Sequence, residues 1–345
     1  MLDSVPLHVQ ILAIPAARQD ESPLFNTLPA EVRTEIFSLA LADYPDEARY
    51  DLETYYSRPS YFAPRKSDTR LLRTCRAIYS EAWFLPFVLK EQTHWLTTAE
   101  RAPPEYSNDI QDRLPATLEQ ITKQHGGGKV EIKGLHVFAQ MWSLEANDLR
   151  WLLRTPNLHP RCFTLTIRHT DWWWWEQDYP LSFQGNWIEV ASELMPSSVR
   201  EVRIELESLE RKKEQIDFIA KQMTNKWFFK RVDGTALFAN TAPEAIEIDR
   251  WTGTSTWNGH TWHRDEARPD QIDYYIATVV FRPLIVVERL GGEVSEVAKR
   301  AANASKFDYT KLNLRFAGKS TRPGTFLGSI YDEGWDEGGG WEPDE

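Results

Sequence analysis

Cysteine is nearly missing: the 345 residues contain two, Cys75 and Cys162. Two cysteines cannot build a four-thiolate zinc site. Cys75 falls on the apolar face of a helix-like run and Cys162 at the start of a strand-like one, so both read as reduced core residues rather than a disulfide pair. No stretch of eighteen apolar residues occurs, which argues against a transmembrane helix and a membrane partner. The apolar run from Leu7 to Ala17 is broken by His8, Gln10 and Pro15 and followed by Arg18, a poor match to a secretory signal. A reducing compartment, cytoplasm or nucleus, is the expectation. Basic stretches are also lacking. Net charge is −11, and because the last fifteen residues hold seven acids and no base, the rest of the chain stands at −4. A protein that tracks phosphates would show a basic surface, so nucleic acid is not an expected partner.

What is present is apolar and aromatic. Hydrophobic residues make up 41% and aromatics 12%, with fifteen tryptophans, enough to build a core. Two helix-like runs organise the N-terminal part. In the first, Leu28 to Leu41, Pro29 suits the opening turn and Glu31 complements the helix dipole. Val32, Ile36, Leu39 and Ala40 recur at helical spacing, with Phe37 and Leu41 as a second stripe. The second run, Leu71 to Phe84, sets Leu71, Cys75, Ile78 and Ala82 on one face, widened by Leu72, Tyr79 and Trp83, and Pro86 is expected to stop it.

Leu28-Pro29-x-Glu31-x-Arg33-x-x-Ile36-Phe37, followed by Leu72-x-x-Cys75-Arg76-x-Ile78-Tyr79-x-Glu81-Ala82, resembles an F-box, and more closely the F-box-like domains at the N-terminus of many fungal proteins. The likeness covers roughly a fifth of the chain, and the connection from Asp43 to Asp68 is longer than an ordinary F-box has. The resemblance implies a helical unit that docks on the Skp-family linker of an SCF-type cullin-RING ubiquitin ligase, while the rest of the chain captures a protein substrate of unknown identity. By that reading Leu28, Pro29, Val32, Ile36 and Leu72 carry linker docking.

From Lys129 the texture alternates strand and helix. Strands are expected at Leu135–Ala139, Phe163–Arg168 and Val202–Leu206, with helices over Ala146–Arg154, Trp187–Leu194 and Leu209–Met223, the pattern of a parallel or mostly parallel sheet. Thr164, Thr166 and Arg168 alternate with Phe163, Leu165 and Ile167, which predicts one wet sheet face. The spacings Val137 to Leu165 and Leu165 to Ile204, 28 and 39 residues, are too uneven for a true leucine-rich repeat. After Lys226 hairpins are expected at Asp233-Gly234 and Asn258-Gly259, then a strand at Tyr274–Phe281 and a helix at Glu293–Ala302. The expected fold class is α+β / α/β: an F-box-like helical unit packed on a mixed, partly parallel sheet with crossover helices, followed by β-hairpins. The divisions are an arm (1–23), the helical unit (24–100), a linker with a short helix (101–128), the βα layer (129–224), a β-rich part (225–330) and a disordered acidic tail (331–345).

No stretch carries catalytic chemistry, so an enzyme is not expected and no cofactor or metal is implied. Ala317-Gly318-Lys319-Ser320-Thr321 approaches the end of a phosphate-binding loop, but Asn313 stands where its first glycine is needed. Gly253 to Trp257 approaches a nucleophile elbow and ends in tryptophan instead of glycine. His260 and His263, three apart on one hairpin strand, point to opposite faces. The run Trp172 to Trp175 is the remaining candidate. If it continues the strand from Phe163, Trp173 and Trp175 extend the core, while Trp172 and Trp174 join Thr166 and Arg168 on the wet face as a ligand surface. The alternative function is therefore a tryptophan-rich protein binding a glycan, peptide or small ligand, with the F-box-like helices as a structural element alone.

Overall fold

The computed structural model describes residues 7–45, 65–103, 108–257 and 260–316. Eight strands join in one sheet: β1 (Glu91–Leu96), β2 (Ile132–Ala139), β3 (Pro160–Ile167), β4 (Glu201–Leu209), β5 (Phe228–Lys230), β6 (Ala236–Ala239), β7 (Glu247–Thr254) and β8 (Gln271–Pro283). Their order is β1-β2-β3-β4-β8-β6-β5, with β7 beside the first part of β8. The first four strands run parallel, and β8 lies antiparallel to β4, β6 and β7. The fold is thus mixed α+β. Strand β1 is not among the strands expected from the sequence, because its Gln92, His94 and Trp95 break the apolar alternation.

Parallel strands laid down in sequential order need right-handed crossovers, and these place the connecting helices on one face. The crossovers are α4 (Asn108–Gln124), the pair α5 (Met141–Glu145) and α6 (Leu149–Leu153), and α7 (Trp187–Leu194), while α8 (Lys213–Lys226) follows β4. One apolar cluster joins their inward residues, among them Leu118, Leu144, Leu152 and Ile188, to Leu135, Val137, Leu165 and Ile204 of the sheet. The strand alternation anticipated this face. It misjudged the other one. Thr164, Thr166 and Arg168 are buried, and polar side chains there bond sideways across the strands instead of facing water. His136 on β2 bonds Thr166 on β3 at 2.8 Å, and the Thr166 hydroxyl donates to Glu205 on β4 at 2.7 Å. A row of this kind satisfies polar groups that burial would otherwise leave costly.

The N-terminal helices share the same core. In α1 (Ala30–Ala40) Phe37 points inward, and Leu41 just after it does likewise. They meet Ile78 and Ala82 of α2 (Arg76–Ala82) and Leu85 and Val88 of α3 (Leu85–Leu89), all in the cluster that holds the sheet's apolar face. The run expected as one helix from Leu71 to Phe84 is broken in two. Arg70–Arg73 is a 3₁₀ turn, Cys75 is extended (φ −154°), and α2 starts after it. Pro86 opens α3 rather than stopping α2, as suits a residue with no N–H to offer. Asp43–Pro45 pairs with Arg65–Ser67, and Asp43 reaches Lys133 on β2 at 3.3 Å, which ties the root of the long connection to the sheet.

Farther on, the Asp233-Gly234 turn joins β5 to β6 as expected, with Gly234 at φ +82°. The second hairpin is larger than the sequence reading drew it: β7 pairs with β8, with the short ladder Thr256–Trp257 and His260–Thr261 set between them. The Asn258-Gly259 turn, the middle of the 43–68 connection, the 317–321 loop and the acidic tail lie outside the described residues. Among the described residues no helix is long and apolar enough to cross a membrane.

Candidate functional site

Two surfaces bear on function, and the first is the outer face of α1. Arg33 fixes this helix. Its Nε and Nη2 donate to the two Glu81 oxygens at 2.9 and 2.8 Å, Nη1 donates to the Leu28 carbonyl at 2.7 Å, and the guanidinium lies 5.2 Å from the Phe25 ring. The two halves of the F-box-like pattern thus supply the two ends of one bidentate ion pair, a geometry that a lysine could not copy. With Phe37 and Leu41 turned inward, Val32 (41% exposed), Ile36 (40%) and Leu39 (76%) form an apolar stripe on the outside. Of the docking residues named from the sequence, Pro29, Val32 and Ile36 are exposed and Leu28 half-buried. Leu72 is half-buried and packs against the core, away from that stripe's purpose. We expect Arg33→Ala and Glu81→Ala each to lower Tm, and the double variant to lose little more than either alone. Additive losses in that cycle would show the pair to be uncoupled.

The second surface lies past the C-terminal ends of the parallel strands, where open α/β sheets hold their ligands. Strand β3 ends at Ile167. The Arg168 backbone N–H donates to Asp171 Oδ2 at 3.2 Å and so closes a 3₁₀ turn, His169–Asp171. The alternation therefore does not run on through the tryptophans. Trp172 is buried, its Nε1 donating to the Glu207 carbonyl at 2.8 Å, and does not stand on an open face. Trp173 is half-buried and donates to Glu145 at 2.7 Å. Trp174 sits in the left-handed region (φ 55°) and is 58% exposed, and Trp175 is buried edge-on to His169 at 5.4 Å. Of the four proposed face residues, only Trp174 is available to a partner. Thr166 is committed to the polar row, and Arg168 binds Asp171 at 2.7 Å while stacking 4.9 Å from the Trp95 ring.

Beneath Trp175 sits a buried charged knot. Asp265 accepts from Arg211 at 2.8 Å and Arg264 at 2.9 Å, and lies 3.8 Å from His169 Nε2. Burial alone would raise the Asp265 carboxyl, but His169 and the two guanidiniums outweigh it and hold the group well below the usual carboxylate range. Burial pushes the His169 imidazole down. The Lys212 amine is also lowered by burial, and donates to the Tyr179 carbonyl at 2.9 Å. Each of these groups faces a fixed partner, which suits a structural clamp on the Trp172–Tyr179 loop. Of the histidines weighed as metal ligands, His260 is exposed and His263 lies 3.3 Å from Glu266.

What sequence reading missed is a cavity on the helix side of the β1 edge, between β1, α5 and α6. Its walls include Trp142 and Trp151, both partly exposed; Trp151 lies within the helix expected over Ala146–Arg154, whereas Trp142 lies on α5, which was not expected. An apolar tryptophan on the polar side of an amphipathic helix was the available signal.

These features define the class: a mixed α+β protein with a helical layer on the apolar face of its sheet and an exposed apolar helix at its N-terminal end. Compared with family models, curated proteins and solved structures, the chain matches none.

Proposed function

We propose that the chain is a non-catalytic adaptor whose N-terminal helical unit docks on the Skp-family linker of an SCF-type ubiquitin ligase, leaving the sheet domain to capture a protein for modification. The observation that carries this reading is the uncovered stripe Val32, Ile36 and Leu39. An eleven-residue helix normally buries its apolar arc against its own protein, and here part of that arc is left outside while Phe37 and Leu41 anchor the helix. Such a strip suits a helix-in-groove contact, in which side chains at i, i+4 and i+7 enter an apolar channel. Leu39 is the anchor that sequence reading left out of the docking set.

The test is direct binding between the full chain and a purified Skp-family linker. The wild-type chain is expected to form a complex at micromolar protein, and Ile36→Asp to abolish it while keeping the wild-type Tm, since the new carboxylate stays in water until docking would bury it. Failure of the well-folded wild type to bind ends the ligase reading. A collapsed Tm in the variant would place Ile36 in the core and remove the surface on which the reading rests.

A further inference from the structure

The cavity beside β1 has a volume of about 460 Å³, within the usual range for small-ligand sites. Its floor includes His94 and Trp95 of β1, and its sides include Trp142 of α5 with Trp151 and Leu152 of α6. Both side indoles are open to solvent, Trp142 at 41% and Trp151 at 67%. Among the described lining residues there is neither lysine nor arginine, and Asp148 is the one carboxylate. The Ser143 hydroxyl donates to Asp148 Oδ2 at 2.7 Å, which orients the carboxylate. The Arg150 guanidinium, outside the cavity lining, packs 5.1 Å from the Trp151 ring and braces that indole.

Two indoles, one fixed carboxylate and no cation among the described lining residues favour a positive guest. The guest's shape follows from what the walls lack. A bare ammonium brings three N–H donors; the Asp148 carboxylate and the Thr97 and Thr155 hydroxyls can accept some of them, but the indoles and leucines accept none, so between the two indoles it would lose part of its water for little return. A methylated ammonium has few or no donors to satisfy, buries its methyl groups against the rings and keeps its charge for the carboxylate. His94 fits the same picture, because burial keeps its imidazole uncharged at neutral pH, so it adds no repulsion.

We propose that this cavity binds a methylated ammonium group, held between the indoles of Trp142 and Trp151 with Asp148 as its counter-charge. The site goes beyond linker docking and does not depend on it. Its guest could come from a methylated lysine on a protein or from a free trimethylammonium compound, and the experiment separates the two. The full chain is titrated calorimetrically with choline, with its uncharged isostere 3,3-dimethylbutan-1-ol, and with one peptide carrying either lysine or trimethyl-lysine.

A charged guest is expected to bind about ten-fold or more tightly than its uncharged counterpart, a margin in keeping with a desolvated cation–π contact. Trp151→Ala and Asp148→Asn should each weaken that binding several-fold with the circular dichroism spectrum unchanged, since neither side chain lies in the core. Tighter binding of the trimethyl-lysine peptide than of choline assigns the site to a protein partner, and the reverse order to a free small molecule. Equal affinity for choline and its isostere, measurable binding of both peptides with the same affinity, or no heat from any probe at millimolar concentration with a folded chain would each overturn the proposal.

Discussion

Trp172→Ala is expected to cost about 3–5 kcal/mol of folding stability, the usual range for removing a fully packed large aromatic. Its neighbour Trp174→Ala is expected to stay within about 0.5 kcal/mol, as surface substitutions do. The contrast follows from position. Trp172 is buried, meets Phe183 edge-on at 5.9 Å and bonds the Glu207 carbonyl, so truncation removes packing and a hydrogen bond together. Trp174 is mostly in water, with rings of Trp173 and Tyr179 each 6.3 Å away. Urea unfolding of the full chain followed by circular dichroism measures both. Equal losses at the two positions would contradict the turn that separates them. A loss below about 1 kcal/mol at Trp172 would mean that its indole is not packed, given what core truncations otherwise cost.

The same pair shows where sequence reasoning stops. Strand parity put Trp172 and Trp174 on one face, which holds only while a strand continues. Asp171 ends it by accepting from the Arg168 backbone, a side-chain bond three residues long that periodicity cannot register. Inside β3 the alternation of Phe163, Leu165 and Ile167 with Thr164 and Thr166 was read correctly, and it located the helix-covered face. It did not reveal that Thr164 and Thr166 on the other face are buried, because alternation reports polarity, and polar groups can be buried when they bond to one another, as His136 and Thr166 do.

Helix α1 poses a related problem. Its apolar residues spread over two adjacent stripes, an arc wider than one packing partner can cover, so spacing alone leaves open which stripe faces inward. The structure chooses Phe37 and Leu41, the larger aromatic and the residue at the helix end nearest the sheet-bound ladder, and so leaves Val32, Ile36 and Leu39 outside. The cavity beside β1 was hidden for another reason. Its lining comes from β1, α4 and the α5–α6 pair, more than sixty residues apart at the extremes, and β1 itself was not among the expected strands.

His94 carries the other large effect, and it is a dependence on pH. Burial pushes its imidazole down from the ordinary 6.5 to about 4. Between those values the unfolded chain binds this proton and the folded chain does not, so stability falls as pH drops from 6.5 towards 4. The full loss is roughly 3 kcal/mol, at about 1.4 kcal/mol for each pH unit of the gap. Burial pushes His159 and His169 down as well, so the wild-type curve by itself sums several groups. Asp178 and Glu131 are held below their ordinary values, and their contributions fade only at the acid end. The clean measurement is therefore a difference: urea unfolding of wild type and His94→Gln from pH 7 to 4. Their stability gap should be constant above pH 6.5 and shift in favour of the glutamine variant below it, because glutamine has no proton to refuse. A gap that stays constant throughout would mean the folded protein accepts the charge at His94. The cavity would then hold an imidazolium facing the same space as Asp148, and a second cation would find no vacancy there.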